Sequence, residues 1–138
     1  MLIAIDSNVF IAALSPNEEH SPNAQRLIRD VASGKHTAVA SSIIYGEVLG
    51  ISNANHSQDI EGFFSRIENL ETLAVDDDIC IKAGKLRRDH GSRLKLPDAI
   101  HLATALIANA NLLITNDVVM AKVAQKLLPT KLLSEYSV

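Results

Sequence analysis

Four acidic residues stand at the edges of apolar segments or inside one: Asp6 after "LIAI", Glu47 within "SSIIYGEVLG", Asp98 near the start of "LPDAIHLATA" and Asp117 at the end of "LLITND". Taken singly, three have ordinary explanations. Asp6 and Asp117 can cap helices, and Asp98 in a first helical turn gains about 0.3–1 kcal/mol from the helix dipole. Glu47 is harder to place, because Ile43, Ile44, Val48 and Leu49 surround it. A carboxylate there costs free energy unless it meets a cation or stays at the edge. Brought together, the four would repel one another, since two charges about 4 Å apart interact by several kcal/mol at a protein-like dielectric. A divalent cation removes that conflict. All-oxygen ligands suit Mg²⁺ or Mn²⁺, and such an ion can activate water and stabilise charge on a phosphodiester during in-line displacement. The chemistry implied is metal-dependent phosphodiester hydrolysis.

Elements that can bring the acids together follow from the pattern of apolar residues. Leu2–Ile5 reads as a buried strand running into a cap at Asp6, with a short helix over Val9–Leu14 stopped by Ser15-Pro16. A helix is predicted from Pro22, with Ala24, Leu27, Ile28 and Val31 at helical spacing and Gly34 at its end. Thr37–Ala40 is a second strand, after which Ser41 or Ser42 caps the helix that carries Glu47. A polar break at Ser52–Ser57 precedes an amphipathic helix marked by Ile60, Phe63, Phe64 and Ile67. Thr72–Val75 is a third strand, and Asp76–Asp78 open a helix ending before Gly91. Leu96–Ala110 is the next helix, Leu112–Thr115 the fourth strand, Val118–Leu128 a last helix, and a strand near Lys131–Leu133 is a fifth. Strands alternating with helices predict a three-layer α/β/α sandwich with a mostly parallel sheet of four to five strands. In such folds sites form beyond the C-terminal strand ends, where these acids fall.

No repeat or linker divides the chain, so residues 1–138 are read as one domain. Hydrophobic residues at 47% against 21% charged exclude a disordered chain, and 4% aromatics require a mainly aliphatic core. No apolar run reaches the roughly 18 residues of a membrane span. The opening Met-Leu-Ile-Ala-Ile-Asp has no basic segment and no signal-peptide pattern, and a single cysteine allows no internal disulfide, so a cytoplasmic protein is expected. The five histidines show no zinc spacing. The net charge of −3 argues mildly against nucleic-acid binding, but location matters more than the sum. Six cations and one acid lie between Lys82 and Lys95. They form either a solvated face or, through Arg87, Arg88, Arg93 and Lys95, a guide for a nucleic acid.

The smaller polar residues admit two readings each. Ser7 either orients a metal-bound water or phosphate, or caps the next helix. Thr115 either contacts phosphate or ends its strand, and Asn116 either orients Asp117 or makes the turn. His101, one turn after Asp98, either supports the acids or is a satisfied, partly buried histidine, the commoner case. Cys80 is expected as a small apolar core residue in its helix.

The set "AIDSN", "YGEV", "LPDAIHLATA" and "LLITND", in this order and at these separations, resembles the PIN-domain nucleases. The compact length is most similar to the VapC-type toxins of prokaryotic toxin–antitoxin pairs. The resemblance implies that Asp6, Glu47, Asp98 and Asp117 hold Mg²⁺ or Mn²⁺. It implies accessory polar positions at Ser7 or Asn8 and at Thr115 or Asn116, an RNA substrate, a homodimer, and a small antitoxin that blocks the site. One departure is Val118-Val119-Met120, where relatives often carry an aromatic; packing is expected to change there, not chemistry. Three other classes compete. An inactive PIN-like module that binds RNA or a partner would be expected to have lost acids. A phosphotransferase with Asp6 as nucleophile would want a second Asp where Asn8 stands. A DNA-binding regulatory partner would want a helix-turn-helix or basic arm, and neither is evident.

Overall fold

The computed structural model describes residues 1–51 and 57–137. Strands β1 (Leu2–Ile5), β2 (Thr37–Ser41), β3 (Leu70–Leu73), β4 (Leu112–Thr115) and β5 (Thr130–Leu132) form one sheet in the order β3-β2-β1-β4-β5. Every pairing is parallel, with Ile3 opposite Ala38 and Leu112, and Ile114 opposite Lys131. The three central strands are nearly continuous apolar runs because helices cover both their faces.

Alternation along those strands sorts the core into two layers. Ile3, Ile5, Ala38, Ala40 and Ile114 point to one side, against α1 (Ser7–Ala13), α2 (Ser21–Ala32), α3 (Ile43–Ile51) and α4 (Ser57–Ser65). Ala4, Val39 and Leu113 point to the other, against α5 (Asp77–His90), α6 (Leu96–Ile107) and α7 (Val118–Ala124). This is the expected α/β/α sandwich. The core is mainly aliphatic, but the few aromatics are concentrated: Phe10, Phe63 and Tyr45 each meet Phe64 edge-on at centroid distances of 5.1–5.3 Å, locking α1, α3 and α4 together.

Local chemistry sets the ends of the elements. The Asp76 side chain accepts from the Ile79 amide and starts α5. Gly34 and Gly91 take φ of +86° and +76°, a conformation open to glycine, at the ends of α2 and α5. Several boundaries differ from the sequence reading. The third strand lies at Leu70–Leu73, two residues early, because it pairs with β2 from Ala38 onward. Helix α6 stops at Ile107, where Asn109 turns with φ of +55°, and α7 stops at Ala124, short of Leu128. Ser41, not Ser42, receives the Ile43 amide. All but the last residue of the polar break at Ser52–Ser57 falls outside the described residues.

Cys80 corrects an expectation. It is exposed, not a core residue. Helix α5 buries Ile79, Ala83 and Leu86, a single stripe, and Cys80 lies a hundred degrees round the helix from it. Among the described residues no helix is long and apolar enough to cross a membrane.

Candidate active site

The chain leaves β1 for β2 on one side and places β4 on the other, so the strand order reverses at β1. The crevice beyond the C-terminal ends of β1 and β4 is therefore the topological switch point, where ligands bind in open α/β sheets. Asp6 ends β1, and Thr115, Asn116 and Asp117 follow β4. Helix α6 crosses the sheet nearby; its small residues Ala99, Ala103 and Ala105 are fully buried, which lets it lie close and present Asp98 and His101 to the crevice. Helix α3, opening after β2, supplies Glu47.

Asp6 is 1% exposed, and local donors hold one oxygen of its carboxylate closely. Oδ2 accepts from the Thr115 hydroxyl at 2.8 Å and from Asn8 Nδ2 at 3.1 Å. The same Thr115 oxygen accepts the Asp117 amide at 3.1 Å, and Asn8 Oδ1 accepts the Asn116 amide at 2.9 Å. Asn8 and Thr115 thus stitch the β1–α1 turn to the β4–α7 turn. Thr115 is fully buried with its hydroxyl engaged, so it positions Asp6 and is not open to a phosphate. Ser7 does not cap α1 from outside; it is the first helical residue, with Asp6 before it and its hydroxyl 3.5 Å from Asp6 Oδ1. Asn116 reaches Glu18 at 3.4 Å and leaves Asp117 to be oriented by Thr115.

His101 supports the acids and is not a satisfied, partly buried histidine. It is 3% exposed, and its Nε2 lies 2.6 Å from Glu47 Oε1 and 3.6 Å from Asp6 Oδ1. A carboxylate acceptor requires the proton on Nε2, and Nδ1 is buried without a partner among the described residues. Burial works against a charged imidazole, but the Glu47 hydrogen bond and the charges of Asp6, Glu47 and Asp98 outweigh it and raise the His101 pKa. Burial likewise pushes Glu47 up, yet its hydrogen bond and charge contact with His101, helped by Ser7, hold it below the usual carboxylate range. The two shifts describe one ion pair. This is the cation that Glu47 needs in its apolar helix. Asp6 is raised, chiefly by burial, with His101 and Thr115 pulling the other way.

Glu47, Asp98 and Asp117 line a cavity of about 420 Å³ together with Arg93, Lys95, Pro97 and Val119. Burial first, then the charges of Asp6 and Asp117, raise Asp98 to about 6, against the usual 3.8. Asp117 is also a helix cap, its Oδ1 accepting the Val119 and Met120 amides at 2.8 and 3.3 Å. Of the four cations singled out in the sequence, Arg93 and Lys95 reach this cavity and Arg87 and Arg88 do not. The Arg87 Nε–H is given to the Leu94 carbonyl at 3.1 Å, and Arg88 pairs with Asp89 at 3.1 Å. Glu18, which joins the network through Asn116, was not singled out in the sequence.

Among the described residues, no three His, Cys, Asp or Glu side chains are already gathered closely enough to cage an ion. Glu47 is turned onto His101, and Asp117 onto the start of α7. The donor set nonetheless fits a hard divalent cation. It consists of oxygens, Glu47, Asp98 and Asp117 face one cavity, and the charges of Asp6, Asp117 and Glu47 raise the proton affinity of Asp98, a repulsion that a cation relieves.

Residues 3–126 match the family model described as PIN domain. No curated protein matches the chain by sequence. Among solved structures, the chain is similar to VapBC2 from Rickettsia felis bound to a DNA fragment from their promoter, with 19% identity, TM-score 0.71, and coverage of 96% of this chain and 98% of that one. It is similar to a toxin–antitoxin complex from Klebsiella pneumoniae, with 24% identity, TM-score 0.62, and coverage of 85% and 87%. It is also similar to VapBC-1 from nontypeable Haemophilus influenzae, with 23% identity, TM-score 0.68, and coverage of 98% and 100%.

Proposed function

The chain belongs to the PIN-domain family, and we propose that it works there as a divalent-metal-dependent endoribonuclease, the VapC-type toxin of a toxin–antitoxin pair. The observation that carries this reading is the shared cavity of Glu47, Asp98 and Asp117, with Asp6 buried behind it and Arg93 and Lys95 on its rim. Three carboxylates facing one cavity suit a divalent cation, and a cation rimmed by basic side chains suits a phosphodiester. The structures it resembles are described as toxin–antitoxin complexes, which supports a cognate antitoxin as partner. A homodimer and a cytoplasmic location belong to the same reading, as does one nuclease domain over residues 1–138.

Asp6, Glu47, Asp98 and Asp117 would hold Mg²⁺ or Mn²⁺, which when bound supplies an acidified water and charge stabilisation at the phosphorus. The chain's own residues do the rest. Thr115 and Asn8 fix the Asp6 carboxylate, and His101 holds Glu47 beside the cavity. Glu47 or Asp98, both lining the cavity, orients the attacking water or accepts its proton. Arg93 and Lys95 draw the RNA backbone to the rim. Attack by water leaves a 5′-phosphate and a 3′-hydroxyl.

The test is cleavage of total cellular RNA by the purified chain with Mg²⁺ or Mn²⁺, with chelator, and with Asp6→Asn and Asp98→Asn beside it. Discrete fragments that require metal and fall about 10²-fold or more in both variants are expected. RNA binding without cleavage under any metal would instead support the inactive binding module, and 2′,3′-cyclic phosphate ends would exclude the hydrolytic route.

A further inference from the structure

A second depression, larger than the acid cavity at about 660 Å³, lies beside it. Its lining includes His90, Arg93, Val119, Val123, Lys122 and Lys126, and no acidic side chain lines it among the described residues. Arg93 and Val119 line both depressions, so the two adjoin at those side chains. The groove runs along α7 and the turn that follows it. Asp117 caps that helix at the acid cavity, Val119, Lys122 and Val123 lie along it, and Lys126 stands in the turn just past its end at Ala124. Arg93, Lys122 and Lys126 are exposed. Unlike Arg88, none of them is in an ion pair among the described residues. In a chain whose net charge is −3, a surface with three free cations and no acid is a local reversal of sign aimed at the reaction site.

We propose that this groove along α7, and not the Arg87–Arg88 stretch of α5, carries the RNA strand away from the cleavage site, with Lys122 and Lys126 contacting successive phosphates. The proposal rests on the ribonuclease reading and names its substrate track. Val119 and Val123 give the groove an apolar floor between the cations, suited to ribose and base faces.

The experiment follows binding of a fluorescein-labelled single-stranded RNA oligonucleotide of mixed sequence, in chelator, by anisotropy across a salt series. Wild type is compared with Lys122→Ala/Lys126→Ala and with Lys82→Ala/Lys85→Ala, which removes the same charge from exposed positions outside the groove. Circular dichroism checks that each variant is folded. Loss of two phosphate contacts lowers the slope of log K against log salt by about 1.4 and weakens binding on the order of tenfold at physiological salt. The α5 pair changes both much less. An equal effect of the two pairs, or none from Lys122→Ala/Lys126→Ala, overturns the groove while leaving the nuclease reading intact if wild type still cuts RNA. Wild type that neither binds nor cuts RNA overturns both. Tighter binding of DNA than of RNA of the same sequence, lost in the α7 variant, overturns RNA as the occupant.

Discussion

Asp6, Asp98 and His101 differ in what they ask of the fold. Asp6 is surrounded by donors, Asp98 by like charges, and His101 by carboxylates. His101 acts through Glu47, so it is a positioning residue. His101→Leu is expected to lower the cleavage rate about 10–100-fold, in the range seen for outer-shell partners of metal ligands. His101→Gln, which keeps a side-chain N–H donor, should recover most of that loss in the same assay. Asp98 makes a pH prediction. Its folded pKa of about 6 lies above the usual 3.8, so the metal-free fold binds this proton more tightly than the unfolded chain does. The ionised group therefore begins to cost stability as pH rises past about 3.8, and the cost is complete above about 6. In chelator, Asp98→Asn should be more stable than wild type by about 1–2 kcal/mol at pH 7, after allowance for solvent screening at a half-exposed site. The two proteins should converge at pH 4 in urea unfolding.

Elements position these residues by their ends. Every acid of the site lies at a strand-to-helix junction or in the first two turns of a helix, and the Asn8–Thr115 network ties two such junctions together. A second polar network holds the far side of the molecule. The Tyr136 hydroxyl donates to Asp30 Oδ2 at 2.5 Å, Arg26 and Lys35 lie 3.1 and 3.7 Å from the same carboxylate, and Asn23 donates to the Tyr136 carbonyl at 2.7 Å. The C-terminal segment is thereby fastened to α2. Tyr136→Phe is expected to destabilise the protein by about 1–3 kcal/mol at neutral pH, because a buried carboxylate loses a donor. The Tyr136 hydrogen bond, ahead of Arg26 and Lys35, helps hold the Asp30 pKa below 3.8, so its stabilisation is present above that pH and fades as pH falls through the lower folded value. The gap between variant and wild type should shrink in acid, as measured by denaturant midpoint.

At the scale of the whole molecule, the acid cavity and the basic groove sit side by side on the α5–α7 side of the switch point. If the acids hold a divalent ion only in the folded state, metal raises stability by mass action, by about 2.7 kcal/mol at a hundredfold excess over Kd. Thermal unfolding with Mn²⁺ should move up by several degrees, the shift should vanish with chelator, and Asp98→Asn should reduce it. An unchanged midpoint in wild type would count against a metal site.

The order of strands and helices was legible from residues 1–138 because buried parallel strands are short apolar runs and amphipathic helices repeat every three to four positions. The four candidate acids stood out because Asp6, Asp98 and Asp117 lie at the edges of such runs and Glu47 lies inside an apolar helix. Where β3 lies and where α6 ends were less so, since pairing with β2 and the turn at Asn109 are decided between elements. Cys80 shows the same limit: residue type favoured the core, and only the direction of the α5 stripe put it outside. Tertiary structure alone decided that His101 pairs with Glu47, fifty-four residues away, and that Arg93 and Lys95 meet the acids while Arg87 and Arg88 do not. It also revealed the groove of Lys122 and Lys126. Local sequence carries the period of an element, but which side chains share a cavity depends on how the sheet reverses at β1 and how closely α6 packs upon it.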